Sequence, residues 1–217
     1  MTNRLVVWAL AMFTLSLAVM SLADGWRDAW LWTYLGLWTA LGGFAMVSID
    51  DDLARERFRP PSAGADAVAL RIIRLLAVAH LIVGALDAGR WHLAPVPPAI
   101  RAAAMAGMAI SFGLFFRAMR ANPFFSAVVR IQEDRGHRVV DRGPYARVRH
   151  PGYAGLIPAM AFSGLALGSW LAFAMGVVFS ALVIRRVLLE DAFLRDHLAG
   201  YSEYAQRVRY RLFPGIW

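Results

Sequence analysis

GYAGLIPAMAFSGLALGSWLAFAMGVVFSALVIRRVLL, residues 152–189, consists of two apolar runs, 152–167 and 170–189, parted only by Gly168-Ser169. A helix that crosses a bilayer takes about 20 mostly apolar residues. Two such runs with a two-residue break demand a tight helical hairpin, whose outer ends return to one side of a membrane. The first arm is short and carries Gly155, Pro158 and Gly164, which predicts a kinked or tilted helix.

Upstream, residues 5–22, 30–49, 68–86 and 99–119 are further apolar runs of spanning length. Trp30, Trp32, Tyr34 and Trp38 read as an interfacial belt at the start of the second, and Pro95, Pro97 and Pro98 break the chain before the fourth. The 217 residues are 59% hydrophobic, with a mean hydropathy of +0.50, above the usual soluble composition. The fold expected is therefore an all-α polytopic membrane bundle of about six transmembrane helices, with a C-terminal helical hairpin and a cytoplasmic cofactor pocket. One membrane domain covers 1–217, with four N-terminal helices over 1–120 and a core over 121–217. Residues 1–22, with Arg4 ahead of an apolar run, resemble a signal peptide but lack a cleavage site and a soluble domain behind it. They read as a retained first helix.

There is no cysteine, which excludes disulfides, thiolate zinc sites and a cysteine nucleophile. All 23 basic residues are arginine, which excludes lysine Schiff-base chemistry. The formal charge of +8 reads as basic loops facing anionic lipid and not as nucleic-acid binding, because no recognition module is visible. With six spans both termini share a side. Cytoplasmic termini leave only Arg27, Arg90 and Arg101 outside, so 20 of the 23 arginines are inside, as the positive-inside rule requires. The localisation expected is a multi-pass protein of the inner or cytoplasmic membrane. Asp50-Asp51-Asp52 reads as a solvated face or helix cap, and no metal site is expected.

Residues 120–149 are polar and basic and read as half helical, with Asn122-Pro123 opening an interfacial helix that carries Phe124, Phe125, Val128 and Val129. Next comes Gly143-Pro144-Tyr145-Ala146-Arg147-Val148-Arg149-His150-Pro151-Gly152-Tyr153-Ala154-Gly155, a crowded polar stretch in a greasy chain. Polar groups packed beside a membrane domain cost free energy unless something binds there. The hairpin brings this stretch to Arg185-Arg186 and Glu190-Asp191 at the end of its second arm. Arginines and histidines favour an anion, the acids an ammonium group, and the tyrosines an adenine or a cation. S-adenosylmethionine carries all of these groups, although nucleotides and lipid headgroups also suit such a pocket. Arg147 and Arg149 read as lipid-headgroup anchors. His80 and Asp87 lie on one helical face in or beside a span, where ionisable residues are functional candidates; His80 reads equally as a structural contact between helices, and Asp87 is placed at the outer interface. Residues 190–209 read as a separate soluble helix.

Gly143-Pro144-Tyr145-x-x-x-Arg149-His150-Pro151-x-Tyr153-x-Gly155 resembles the signature shared by isoprenylcysteine carboxyl methyltransferases and phospholipid methyltransferases. Gly136-His137-Arg138-Val139-Val140 is similar to their upstream element. Glu190-Asp191, Leu194, Tyr201, Tyr204 and Arg211-Leu212-Phe213-Pro214 are similar to their C-terminal tail. The resemblance covers residues 122–214 and implies a methyltransferase that uses S-adenosyl-L-methionine. It implies that His137, Arg138, Val139, Val140 and Tyr145 hold adenosine. His150, Pro151, Gly152 and Tyr153 would flank the methionine moiety, Glu190 and Asp191 its amine, and Gln132 joins this set. Arg186 matches an arginine that the family places at the acceptor, so Arg186 and Glu190 are the expected catalytic pair. The chain departs from the pattern at Asp191, at Leu198-Ala199-Gly200-Tyr201 and at Arg138-Val139-Val140.

Methyl transfer is an in-line displacement that needs alignment and exclusion of water. The expected acceptor is small and apolar or lipid-like, an isoprenylcysteine carboxylate or a phospholipid amine, reached from the lipid bilayer. Two other functions stay open. The tail through Trp217 also resembles NADPH-dependent sterol-type reductases, and a non-catalytic membrane scaffold would keep the same fold.

Overall fold

A computed structural model describes residues 2–61, 64–93 and 95–217, and the side chains of residues 4–61 within the first of these segments. Met1, the first residue of the expected first helix, lies outside them. The long regular elements among the described residues are all helices, with no strand among them: α1 (Thr2–Ala23), α2 (Ala29–Ser48), α3 (Asp51–Phe58), α4 (Ala67–Leu86), α5 (Pro98–Ala121), α6 (Pro151–Leu167), α7 (Trp170–His197) and α8 (Tyr201–Arg207). Helices over Arg4–Ala23, Ala67–Trp91, Pro98–Ala121 and Trp170–His197 are long and apolar enough to cross a membrane. Of the six spans expected, the other two fall short of that description for different reasons. α2 has 20 residues, but Trp, Tyr, Thr and Gly dilute its hydropathy, and α6 has only 17.

The hairpin forms where expected. Gly168 turns the chain at φ 96°, a left-handed conformation that costs a glycine nothing, and the Ser169 hydroxyl accepts the amide of Ala172 to cap α7. α6 lies between α5 and α7 at backbone distance. A Cβ on Gly155 would stand 2.5 Å from the Ser111 carbonyl of α5, and one on Gly164 would stand 2.2 Å from the Phe173 nitrogen of α7. Small residues permit such close approach in lipid, where packing rather than the hydrophobic effect drives association.

Four hydrogen bonds help tie the bundle together away from the cavity. Ser163 of α6 hydrogen-bonds Tyr34 of α2 (2.8 Å) and His80 of α4 (3.0 Å), so His80 is a structural contact between helices. Tyr34 is fully buried and is therefore not a belt residue, and of the four belt aromatics Trp32 is the exposed one. Asp87 is buried as well and accepts from Ser169 Oγ (2.5 Å) and the Leu93 amide (3.1 Å), which closes the end of the bundle that holds the hairpin turn.

Two helix expectations are corrected. Pro123 does not open a helix: Asn122 accepts the Phe124 amide (2.8 Å) in a local turn, and residues 122–150 contain only the single 3-10 turns Glu133–Arg135 and Gly143–Ala146. The helix expected to begin at Glu190 is the continuation of α7, which runs unbroken to His197 because neither Gly nor Pro intervenes before Gly200.

Candidate active site

At the end of the bundle opposite the hairpin turn, residues 122–150 fold back over the ends of α5, α6 and α7. Their anchor is Glu56 of α3. Arg130 grips its carboxylate through Nε (3.0 Å) and Nη2 (2.7 Å), and Ser126 Oγ donates to it at 2.7 Å. Burial would raise the Glu56 carboxyl, but these donors hold it below the usual range. α3 itself starts where Asp50 accepts the Leu53 amide (2.7 Å), so the acidic triplet is a helix cap.

A second anchor comes from the C-terminus. Asp191 is buried and accepts from Arg149 through Nε (2.7 Å) and Nη2 (3.0 Å), from Tyr201 (3.0 Å), and from Arg211 (3.1 Å) and Arg195 (3.3 Å). His150 Nε2 lies 3.2 Å from the same carboxylate. Tyr204 donates to the Tyr145 carbonyl (2.8 Å), and the amides of Arg149 and His150 bond the carbonyls of Tyr210 and Arg211. Burial raises the phenols of Tyr145, Tyr201 and Tyr204 above their usual range, so each stays protonated; Tyr201 and Tyr204 donate, and Tyr145 Oη accepts from Asn122 Nδ2 (3.4 Å). Arg149 is 4% exposed and also donates to the carbonyls of Val208 and Arg209. It is a structural cation and not a headgroup anchor.

These anchors frame an open-mouthed cavity, with about 960 Å³ of space when the solvent at its mouth is included. His137, Arg138, Val139, Val140, Tyr145, His150, Gly152, Tyr153, Arg186 and Glu190 line it. Of the residues expected to bind a cofactor, Gln132, Pro151 and Asp191 lie behind the wall. Gln132 is fully buried, donates to the Phe124 carbonyl (2.7 Å) and accepts from Arg135 (2.6 Å), which fixes the turn that presents His137. Pro151 is the first residue of α6, where its fixed φ suits a helix start. Asp191 orients His150 from the opposite side.

Tyr153 Oη donates to Glu190 Oε2 at 2.6 Å. The other oxygen, Oε1, has no hydrogen-bond donor among the described residues, His150 Nδ1 standing 3.9 Å away, and the side chain is 25% exposed. An acid with one oxygen oriented and one free is suited to an ammonium group. Val139, Val140, Leu194 and Leu198 provide apolar wall to the same cavity as Tyr145. Burial, with Arg130 and Arg135 nearby, pushes His137 down to about 4, so its Nδ1 is a neutral acceptor for the Gln132 amide (3.3 Å).

Arg186 lines the cavity one turn before Glu190, as expected, but its charge is already matched. Its Nε approaches Asp66 Oδ2 to 2.6 Å, and Nη2 donates to the Ala127 carbonyl at 2.7 Å. Asp66, just ahead of α4, also accepts the Val129 amide (3.1 Å). Glu56, Arg57, Asp66 and Arg130 escaped the sequence reading. One carboxylate within α3 and another just ahead of α4 were the available sign.

The fold and cavity define a class: a membrane helix bundle with a polar, ligand-sized site at one end. Residues 103–196 match the model of the isoprenylcysteine carboxyl methyltransferase (ICMT) family, which agrees with the resemblance in the sequence. Two curated relatives, from Oryza sativa subsp. indica and subsp. japonica, each named "Probable protein-S-isoprenylcysteine O-methyltransferase", are 34% identical over 86 residues, 39% of this chain. The chain spans 45% of the length of these relatives.

Proposed function

We propose that this chain is an S-adenosylmethionine-dependent integral membrane methyltransferase for an apolar acceptor of the isoprenylcysteine-carboxylate kind, with its site on the cytoplasmic face. One observation carries the reading. Two segments far apart in the chain, one from His137 to Tyr153 and one around Glu190, both within the part that matches the family, converge on one cavity. The methyl donor would supply an electrophilic methyl group next to a sulfonium. Glu190 Oε1 receives its ammonium, and Tyr153 holds Glu190 in place. Val139, Val140 and Tyr145 flank the adenine, with His137 neutral beside it. His150, oriented by Asp191 and Tyr201, forms the wall by the methionine chain.

A carboxylate acceptor needs no proton removed, so the chain's task is alignment and exclusion of water. Opposite charges on donor and acceptor are lost as the methyl moves, which a site of low dielectric favours. Phe115, Phe125 and Leu156 give the cavity an apolar side for the acceptor.

The test is calorimetric titration of the detergent-purified protein with S-adenosylmethionine, S-adenosylhomocysteine and NADPH. Saturable binding of both adenosyl ligands is expected, weakened by about 1–3 kcal/mol in Glu190→Gln, which loses a charged hydrogen bond. Binding of NADPH alone would replace this reading with the reductase, and binding of none of the three would favour the scaffold.

A further inference from the structure

Five arginines line the cavity, and they are not alike. Arg130 is matched by Glu56 and Asp134, Arg149 by Asp191, and Arg186 by Asp66. Arg138 is exposed to solvent. Arg57 is half-buried and has no ion-pair partner among the described residues. Its guanidinium sits over the rings of Phe115 (5.7 Å) and Phe125 (5.6 Å), and its hydrogen bond is a long one, from Nη1 to the Ser126 carbonyl at 3.4 Å.

This placement is enforced. Arg57 follows Glu56, whose three hydrogen bonds to Arg130 and Ser126 fix the rotation of α3 against the loop. A cation withdrawn from water without a counterion is costly. Burial pushes Arg57 down to about 10; Arg186 and Arg74 act in the same direction, and Tyr153 and Glu190 act against it. The cavity thus holds a positive charge with no carboxylate in ion-pair contact among the described residues, at an apolar wall, and Glu190, on the same cavity, acts on it from beyond that distance. Arg186, where sequence reasoning placed the acceptor cation, lacks that surplus.

We propose that Arg57 is the residue that receives a carboxylate in this cavity. The chemistry has two sources if the methyltransferase reading, on which the inference rests, holds: the α-carboxylate of the methyl donor, or the carboxylate of the acceptor. The Phe115 and Phe125 rings make the wall suitable for a carboxylate carried on an apolar chain.

The experiment measures binding to the purified wild type, Arg57→Gln and Arg57→Lys. The probes are S-adenosylhomocysteine, a farnesylated N-acetylcysteine as the free carboxylate, and the same compound as its primary amide. Arg57→Gln should lose about tenfold or more in affinity for one of the carboxylate ligands, with the amide unaffected, and Arg57→Lys should recover most of the loss. Loss for S-adenosylhomocysteine assigns Arg57 to the donor, and loss for the farnesylated carboxylate assigns it to the acceptor. If wild type binds no S-adenosylhomocysteine, the function proposed above fails, and the ratio of carboxylate to amide affinity still tests Arg57. Wild-type affinities throughout in a folded Arg57→Gln, or no preference of wild type for any carboxylate, overturn the proposal. Should Arg57→Gln not fold, wild type and Arg57→Lys are compared with each carboxylate ligand against its own primary amide, the carboxamide of S-adenosylhomocysteine included: equal affinity within both pairs removes the role.

Discussion

Asp191 shows how a residue can be essential to a cavity it does not face. Its carboxylate collects donors from Arg149, His150, Arg195, Tyr201 and Arg211, and both it and Arg149 have side chains 2% exposed. Asp191→Asn removes the charge and leaves a buried guanidinium unmatched, which costs about 3–5 kcal/mol when one partner of a buried pair is lost. Asp134→Asn, on an exposed carboxylate, should leave stability close to that of wild type. Chemical denaturation in detergent compares the two, and equal effects would contradict the role given to Asp191. His137 makes a prediction in pH. Its folded value, about 4, lies below its ordinary value of 6.5 because burial opposes the charge. Above pH 6.5 neither folded nor unfolded chain binds the proton. Between 6.5 and 4 only the unfolded chain does, so the contribution present above 6.5 is lost progressively as pH falls through that window. Melting temperatures at pH 8 to 5 should decline less steeply in His137→Gln than in wild type, and parallel curves would remove His137 from the account. At this scale His137, Tyr145, His150, Tyr153 and Glu190 were legible in the sequence because their spacing follows a pattern. Arg57 and Asp66 were not, since only the fold brings the ends of α3 and α4 to the loop, and Arg149 was misread because its partner lies 42 residues away.

Among the elements, the contact of α5 with α6 decides the width of the cavity, because Phe115 on one and Gly152, Tyr153 and Leu156 on the other form part of its wall. Gly155 lets the two backbones touch. A Cβ there meets the Ser111 carbonyl at 2.5 Å and the Phe115 nitrogen at 2.7 Å, both main-chain atoms that cannot turn aside. Gly155→Leu should therefore destabilise the protein by at least about 2 kcal/mol, with α5 displaced. Gly113→Ala, at a position of α5 with open space around it, should be neutral or stabilising by up to about 1 kcal/mol from helix propensity. Thermal unfolding in one detergent separates these outcomes, and a Gly155→Leu protein as stable as Gly113→Ala would show that the helices are not so closely held. The helices themselves were readable from apolar length, and the hairpin from Gly168-Ser169. What misled was reading the polar residues Glu190 and Asp191 as a break: leaving an apolar region does not end a helix when nothing interrupts its hydrogen bonds. Conversely, Phe124 and Phe125 suggested an interfacial helix, yet the Asn122 side chain competes successfully for the backbone and forms a turn.

Across the whole molecule, the two ends of the bundle differ in kind. At the hairpin end, Asp87, Ser169 and Arg101 close the structure with few groups, Arg101 donating to the Leu167 carbonyl (3.1 Å). At the other end, the tail, the loop and α3 build the cavity from paired charges. Between them the outward surface is apolar. Val68, Ile72, Leu75, Val78 and Ile82 form an exposed stripe along α4, and Ile110, midway along α5, is 75% exposed. Such surface is a liability in water and the expected contact with lipid. An arginine in the middle of a spanning helix costs about 2.5–3.5 kcal/mol of insertion free energy, because the guanidinium must be solvated within the hydrocarbon. Ile110→Arg should therefore lower the membrane-integrated fraction by a large factor in a glycosylation-based insertion assay. Ile216→Arg, at a residue even more exposed (82%) but in the tail beyond α8, should integrate like wild type. The pair separates position in the bilayer from exposure alone: equal integration of both variants would mean that the band around Ile110 does not face lipid.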